Sequence, residues 1–90
     1  MSSGGNSVIV LTIYSRPGCH LCDDMKAIVT RAAESAPEQT TIMEIDISTD
    51  TDLERRFGLE IPMLMVNGKK AAKYRVTEEE LRRLLAGKAG

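Results

Sequence analysis

Residues 16–22, RPGCHLC, hold both cysteines of the chain, Cys19 and Cys22, with only His20 and Leu21 between them. Such a pair can be a structural staple, part of a metal site, or a working redox couple. The staple is weak on magnitude, because closing so short a loop removes only about 2 kcal/mol of unfolded-state entropy, less than longer loops give. A closed structural zinc site needs four ligands, and the chain has one histidine, His20, directly beside Cys19. Those three groups converge poorly on one ion, so the metal role requires a dimer that pools its cysteines.

The redox role gives each position a task. Upstream, VIVLTIY (8–14) is rich in β-branched residues and apolar at alternate positions on both faces, as a covered central strand is. Downstream, Leu21, Cys22, Met25, Ile28, Val29 and Ala32 recur at helical spacing, so a helix starts at the cysteines and ends before Pro37. Cys19 therefore falls at a helix start, where unpaired N–H groups and the helix dipole favour a thiolate and lower its pKa. Cys22, one turn on, is the resolving thiol. Arg16 and a protonated His20 add positive charge near Cys19, while Asp23 opposes them. Either cation is otherwise an exposed residue with no role.

The rest of the chain continues the alternation of strands and helices. In TIMEIDI (41–47), Met43, Ile45 and Ile47 alternate with Glu44 and Asp46, the pattern of an edge strand with one wet face. STDTDLERRFG (48–58) opens with capping residues, spaces Leu53 and Phe57 four apart, and places Gly58 to close a short helix. IPMLMVNGKKAAKY (61–74) reads as two strands about the hairpin turn Asn67-Gly68. A last helix starts at the capping box Thr77/Glu80, flanked by the staple pair Val76 and Leu81. Leu81, Leu84 and Leu85 form its buried face, and Gly87 follows. Pro62 enters a strand, where a proline without a donor is tolerated; composition alone favours the commoner trans form.

At 90 residues the chain is one domain. The expected division is a flexible leader over 1–7, a domain over 8–86 and a tail over 87–90. With 42% apolar and 28% charged residues it has the balance of a globular protein. A net charge of -1 without a basic stripe argues against nucleic acid as a partner. No apolar run is long enough to cross a bilayer, and the N-terminal residues carry no secretory signal. A monomer in a reducing cytoplasm is the resulting expectation, where a lasting structural disulfide is not expected.

The segment YSRPGCHLC (14–22) resembles the glutaredoxin motif, in which Tyr-Ser, a basic residue and a proline precede a CxxC. FGLEIP (57–62), followed by a strand and NGK, is similar to the cis-proline segment of thioredoxins and glutaredoxins. The resemblance covers about residues 8–85. It implies an α/β thioredoxin-like fold, a four-stranded mixed sheet flanked by three helices in the order β-α-β-α-β-β-α. It further implies a cis Pro62 facing the cysteines, Ile61 offering its backbone to an extended substrate, and Arg16 meeting glutathione or another anion.

The departures narrow it. Thioredoxins carry a tryptophan before the motif and a buried acid six residues before the first cysteine, where this chain has Gly18 and Ile13. Glutaredoxins follow the first cysteine with proline and an aromatic, here His20 and Leu21, and place a Gly-Gly-x-Asp signature before the last helix, here YRVTEE (74–79). Thr77 at that helix N-terminus is the remaining candidate for binding a carboxylate.

The expected function is a dithiol thiol-disulfide oxidoreductase acting in cell redox homeostasis and electron transport. Cys19 attacks, Cys22 resolves, and Arg16, His20, Ile61, Pro62 and Thr77 bind the substrate. No metal or bound cofactor is needed. The substrate is a disulfide-containing protein or a glutathione mixed disulfide, and glutathione or a reductase resets the pair. Two alternatives stay open, a metal or iron-sulfur binding dimer module and a non-catalytic redox-sensing interaction domain on the same fold.

Overall fold

The structure, a computed structural model, describes residues 8–35 and 39–89, the last three of these by their backbone alone. The leader expected over 1–7 and Pro37 lie outside the described residues. Strands β1 (Val8–Ser15), β2 (Gln39–Asp46), β3 (Met63–Val66) and β4 (Lys69–Lys73) alternate with helices α1 (His20–Glu34), α2 (Thr51–Phe57) and α3 (Glu78–Ala89) in the order β-α-β-α-β-β-α. The sheet order is β2-β1-β3-β4. β1 pairs parallel with β2 and antiparallel with β3, and β3 pairs antiparallel with β4. This is the mixed four-stranded sheet with three helices that the resemblance implies, with β1 in the interior and β2 at an edge as the residue patterns predict.

Two apolar clusters hold the layers. On one face Ile9, Leu11 and Ile13 of β1 pack with Met25 and Val29 of α1, Leu64 and Val66 of β3, and Leu81 and Leu85 of α3. Burying a side chain such as Leu11 stabilises by roughly 1.5–3 kcal/mol. On the other face Ile47, Phe57 and Met63 form a smaller cluster, ringed by Tyr14, Leu53, Ile61 and Met65. The α2 helix is only 7 residues long. The second face of β1 is consequently half-buried rather than fully covered, with Val10, Thr12 and Tyr14 all partly exposed.

Several local expectations are corrected by packing. On β2 the residue that turns to the main core is Ile42, while Met43 is 48% exposed because short α2 does not reach it. Ile47 leaves the strand altogether; it starts a 3₁₀ turn, Ile47–Thr49, and is buried in the second cluster. Leu84 is 37% exposed, and among the described side chains of α3 it is Leu81 and Leu85 that are buried in the main cluster. The α3 helix passes Gly87 and runs to Ala89. Gly58 closes α2 with a right-handed φ of -56°, and its N–H donates to the Glu54 carbonyl oxygen at 2.8 Å.

The turn signals behave as their chemistry demands. Asn67 and Gly68 adopt φ of 52° and 84°, the positive pair of a two-residue hairpin. Asn67 is further tied to β1, donating its N–H to the Val10 carbonyl oxygen and accepting from the Val10 N–H through Oδ1. Thr77 and Glu80 close a reciprocal capping box, each backbone N–H donating to the other's side-chain oxygen at 3.0 and 3.1 Å. Val76 and Leu81 are both buried as its staple.

Candidate functional site

β1 ends at Ser15, and a turn through Pro17 and Gly18 leads from the sheet to the helix. Gly18 takes φ of 77°, a value that suits glycine. That turn delivers Cys19 to the N-cap of α1 with extended backbone, φ -96° and ψ 108°. An N-cap side chain normally accepts from the first turn through oxygen; here the acceptor is sulfur, and the Cys22 N–H donates to Cys19 Sγ at 3.1 Å. The two cysteines form a disulfide, with Cα atoms 5.2 Å apart. Their exposures differ sharply, Cys19 being half-buried and Cys22 only 2% exposed.

His20, the first residue of α1, is exposed, and Leu21 is half-buried. The Ile61–Pro62 peptide is cis. Because Tyr14 pairs with Met63 across antiparallel β1 and β3, Pro62 lies at the sheet end where the cysteine turn leaves β1. Pro62 is buried and Ile61 half-buried against the second cluster. Tyr74 holds this segment from outside, its N–H donating to the Pro62 carbonyl oxygen and its hydroxyl to that of Leu59, both at 2.8 Å.

Arg16 forms an ion pair with Glu54 of α2, both side chains being 40% exposed. The cation that the resemblance assigns to glutathione or another anion is therefore matched by an acid 38 residues away in the chain itself. Thr77 is exposed at the α3 N-cap, with its amide and hydroxyl both engaged by Glu80. The Glu80 carboxyl is held below the usual range, chiefly by the Thr77 N–H and then by its hydroxyl. A cleft of about 600 Å³ runs from Leu21, Asp24 and Ile28 on α1 to Tyr74, Arg75 and Val76, and so begins inside the cysteine motif.

Ser15, the buried polar residue that ends β1, donates its hydroxyl to Glu44 Oε2 at 3.1 Å. Lys26 of α1 donates to the other oxygen of Glu44 at 2.9 Å. The Lys26 hydrogen bond is the main cause that lowers the Glu44 pKa, and it raises that of Lys26. Among the described residues no cluster of three or more His, Cys, Asp or Glu side chains is placed to hold a metal ion. No helix there is long and apolar enough to cross a membrane.

Cys19, Cys22, Arg16, Ile61 and Pro62 thus gather at one end of the sheet, while Thr77 serves the start of α3. Glu54 and Tyr74 escape the sequence reading. Glu54 looks like any solvent-facing helix acid, and Tyr74 like the last residue of a strand. Neither carries a local signal for a contact made across the fold.

Comparison with known proteins places these features in a family. The model of the glutaredoxin-like domain (DUF836) matches residues 10–86. A glutaredoxin-like protein of Dictyostelium discoideum, a YDR286C homolog, is 32% identical over 77 residues, spanning 81% of this chain and 71% of its own. The X-ray structure of protein XcR50 from X. campestris superposes with a TM-score of 0.70 at 28% identity, covering 86% of this chain and 96% of that one. A mutant thioredoxin from Halobacterium salinarum shares the fold with a TM-score of 0.66 at 19% identity, covering 97% of this chain and 80% of its own. The fold and the Cys19–Cys22 pair support a redox-type function, and the chain belongs to the glutaredoxin-like domain family.

Proposed function

We propose that this protein is a dithiol thiol-disulfide oxidoreductase. The observation that carries this reading is the asymmetry of the pair. Cys19 is the more exposed of the two and its sulfur accepts the Cys22 N–H, whereas Cys22 is buried one turn behind it. A donor aimed at Cys19 Sγ stabilises negative charge there once the disulfide is open. Cys19 thiolate attacks one sulfur of a substrate disulfide, forming a mixed disulfide and releasing the first thiolate. Cys22 thiolate then attacks Cys19 Sγ, releasing the second thiolate and leaving the Cys19–Cys22 disulfide. The substrate gains two electrons and the protein loses two.

The backbone of Ile61, ahead of buried Pro62, is the proposed pairing edge for an extended substrate, a form of strand addition. Arg16 is the cation proposed to meet it. His20, exposed in the first turn of α1, is proposed to line the substrate approach. Thr77 has both its polar groups matched by Glu80, so in this reading it anchors α3. No bound cofactor enters the cycle. Glutathione or a reductase thiol in the cytoplasm returns the pair to its reduced state.

Intact-mass analysis after reaction with a disulfide-bonded peptide tests the roles. Cys22→Ser should accumulate a mixed disulfide at Cys19, and Cys19→Ser should be inactive. Ordinary dithiol turnover by Cys19→Ser would sink the assignment.

A further inference from the structure

The cation three residues ahead of the nucleophile already has a partner of its own, with which an anionic substrate must compete. Arg16 precedes Cys19 by one turn, whose ends approach within about 7 Å in an ordinary β-turn. Its guanidinium is paired to Glu54 from α2. It also acts on Asp46 at the end of β2, whose carboxyl is held low mainly by Ser48 hydrogen bonds and further by the charge of Arg16. Two acids thus answer one cation on the approach to the cysteines. The N-terminus of α3, where backbone donors suit an anion, is likewise filled by the chain's own Glu80.

We propose that Glu54 is a specificity-determining residue, an internal carboxylate that occupies Arg16 and biases the site against disulfides carrying carboxylates beside the sulfur. The favoured substrates are then disulfides with neutral or cationic flanks, as on a peptide segment, and glutathione disulfide is disfavoured. This rests on the thiol-disulfide exchange proposed above. An anionic substrate must displace Glu54 to reach Arg16, whereas a cationic one leaves the ion pair in place. The chemistry is unchanged: Cys19 attacks, the first thiolate leaves, Cys22 closes the disulfide and the second thiolate leaves. Only the electrostatic cost of bringing the substrate to Cys19 differs.

The pair is partly solvated, so the effect is modest. An ion pair of this exposure corresponds to a change of roughly 1.5- to 5-fold in a rate ratio. Glu54 acts through Arg16 rather than by touching the reacting sulfurs, so its test needs a readout that loss of structure does not move.

The experiment compares the second-order oxidation rates of the reduced protein by glutathione disulfide, which carries four carboxylates, and by cystamine, which carries two ammonium groups. The wild type should favour cystamine by more than free cysteine does. Glu54→Gln should shift the ratio toward glutathione disulfide by roughly 1.5- to 5-fold at low salt, with the shift shrinking at high ionic strength. In Arg16→Gln/Glu54→Gln that gain should vanish. Equal changes on both substrates in Glu54→Gln, or an unchanged ratio, would overturn the proposal while leaving exchange intact. If the wild type reacts with both disulfides no faster than free cysteine, the exchange reading falls and this inference falls with it.

Discussion

The Tyr74 hydroxyl donates to the Leu59 carbonyl oxygen at 2.8 Å while the Tyr74 N–H donates to that of Pro62 at 2.8 Å, so one residue clamps both ends of the cis-proline segment. Tyr74 does this from φ of 69°, an uncommon conformation for an aromatic residue. The two hydrogen bonds bind the loop to the end of β4. Replacing Tyr74 with Phe removes the outer one and should cost about 1 kcal/mol in urea unfolding. Amide exchange at 59–61 should accelerate more than in β1. Unchanged exchange at those amides would show that the clamp does not order the loop.

Phe57 and Leu59 separate burial from hydrophobicity within three residues. Phe57 is 4% exposed and stacks on Tyr14 with ring centroids 4.5 Å apart, whereas Leu59 is 92% exposed. Phe57→Ala should lower stability by about 3–5 kcal/mol. Leu59→Ala should stay within about 0.5 kcal/mol. Denaturant titrations of both variants check the contrast, and a small effect of Phe57→Ala would mean that the second cluster is not a core.

The capping box at α3 predicts a pH dependence. Glu80 is depressed below its ordinary value of 4.5 in the folded chain, first by the Thr77 N–H and then by the Thr77 hydroxyl. A depressed folded pKa means that its contribution is complete above about 4.5 and is lost as pH falls through the lower folded value. Wild type and Glu80→Gln should therefore differ in melting temperature at pH 6 and converge near pH 3. A gap that widens on acidification would contradict the sign.

Limiting iodoacetamide at neutral pH should label the reduced protein at Cys19 before Cys22, because Cys19 is half-buried and its sulfur accepts a backbone N–H, whereas Cys22 is 2% exposed. Peptide mapping reads this directly. Preferential labelling of Cys22 would reverse the two roles.

Much of this fold is legible in the sequence because its signals are local. The β-branched run at 8–14, the CxxC at a helix start, Asn67-Gly68 and the Thr77/Glu80 box each specify a backbone conformation within a few residues. The face of β2 is not legible in that way: Met43, Ile45 and Ile47 alternate as a buried face should, yet what covers a strand is decided by distant helices. Short α2 leaves Met43 in solvent, and α1 takes Ile42 instead. The same limit applies at the site. The cysteines and Pro62 are visible as motifs, but Glu54 reaches Arg16, and Tyr74 reaches Leu59, only after the chain folds back.

The central claim is that Cys19 and Cys22 cycle as a redox couple, and equilibration in glutathione buffers of graded poise tests it most directly. After acid quenching and alkylation, intact mass should show a single reversible loss of two hydrogens at a definite potential, absent in both Cys19→Ser and Cys22→Ser. Thiols that stay free across the whole range, or a metal retained by the reduced protein, would contradict it.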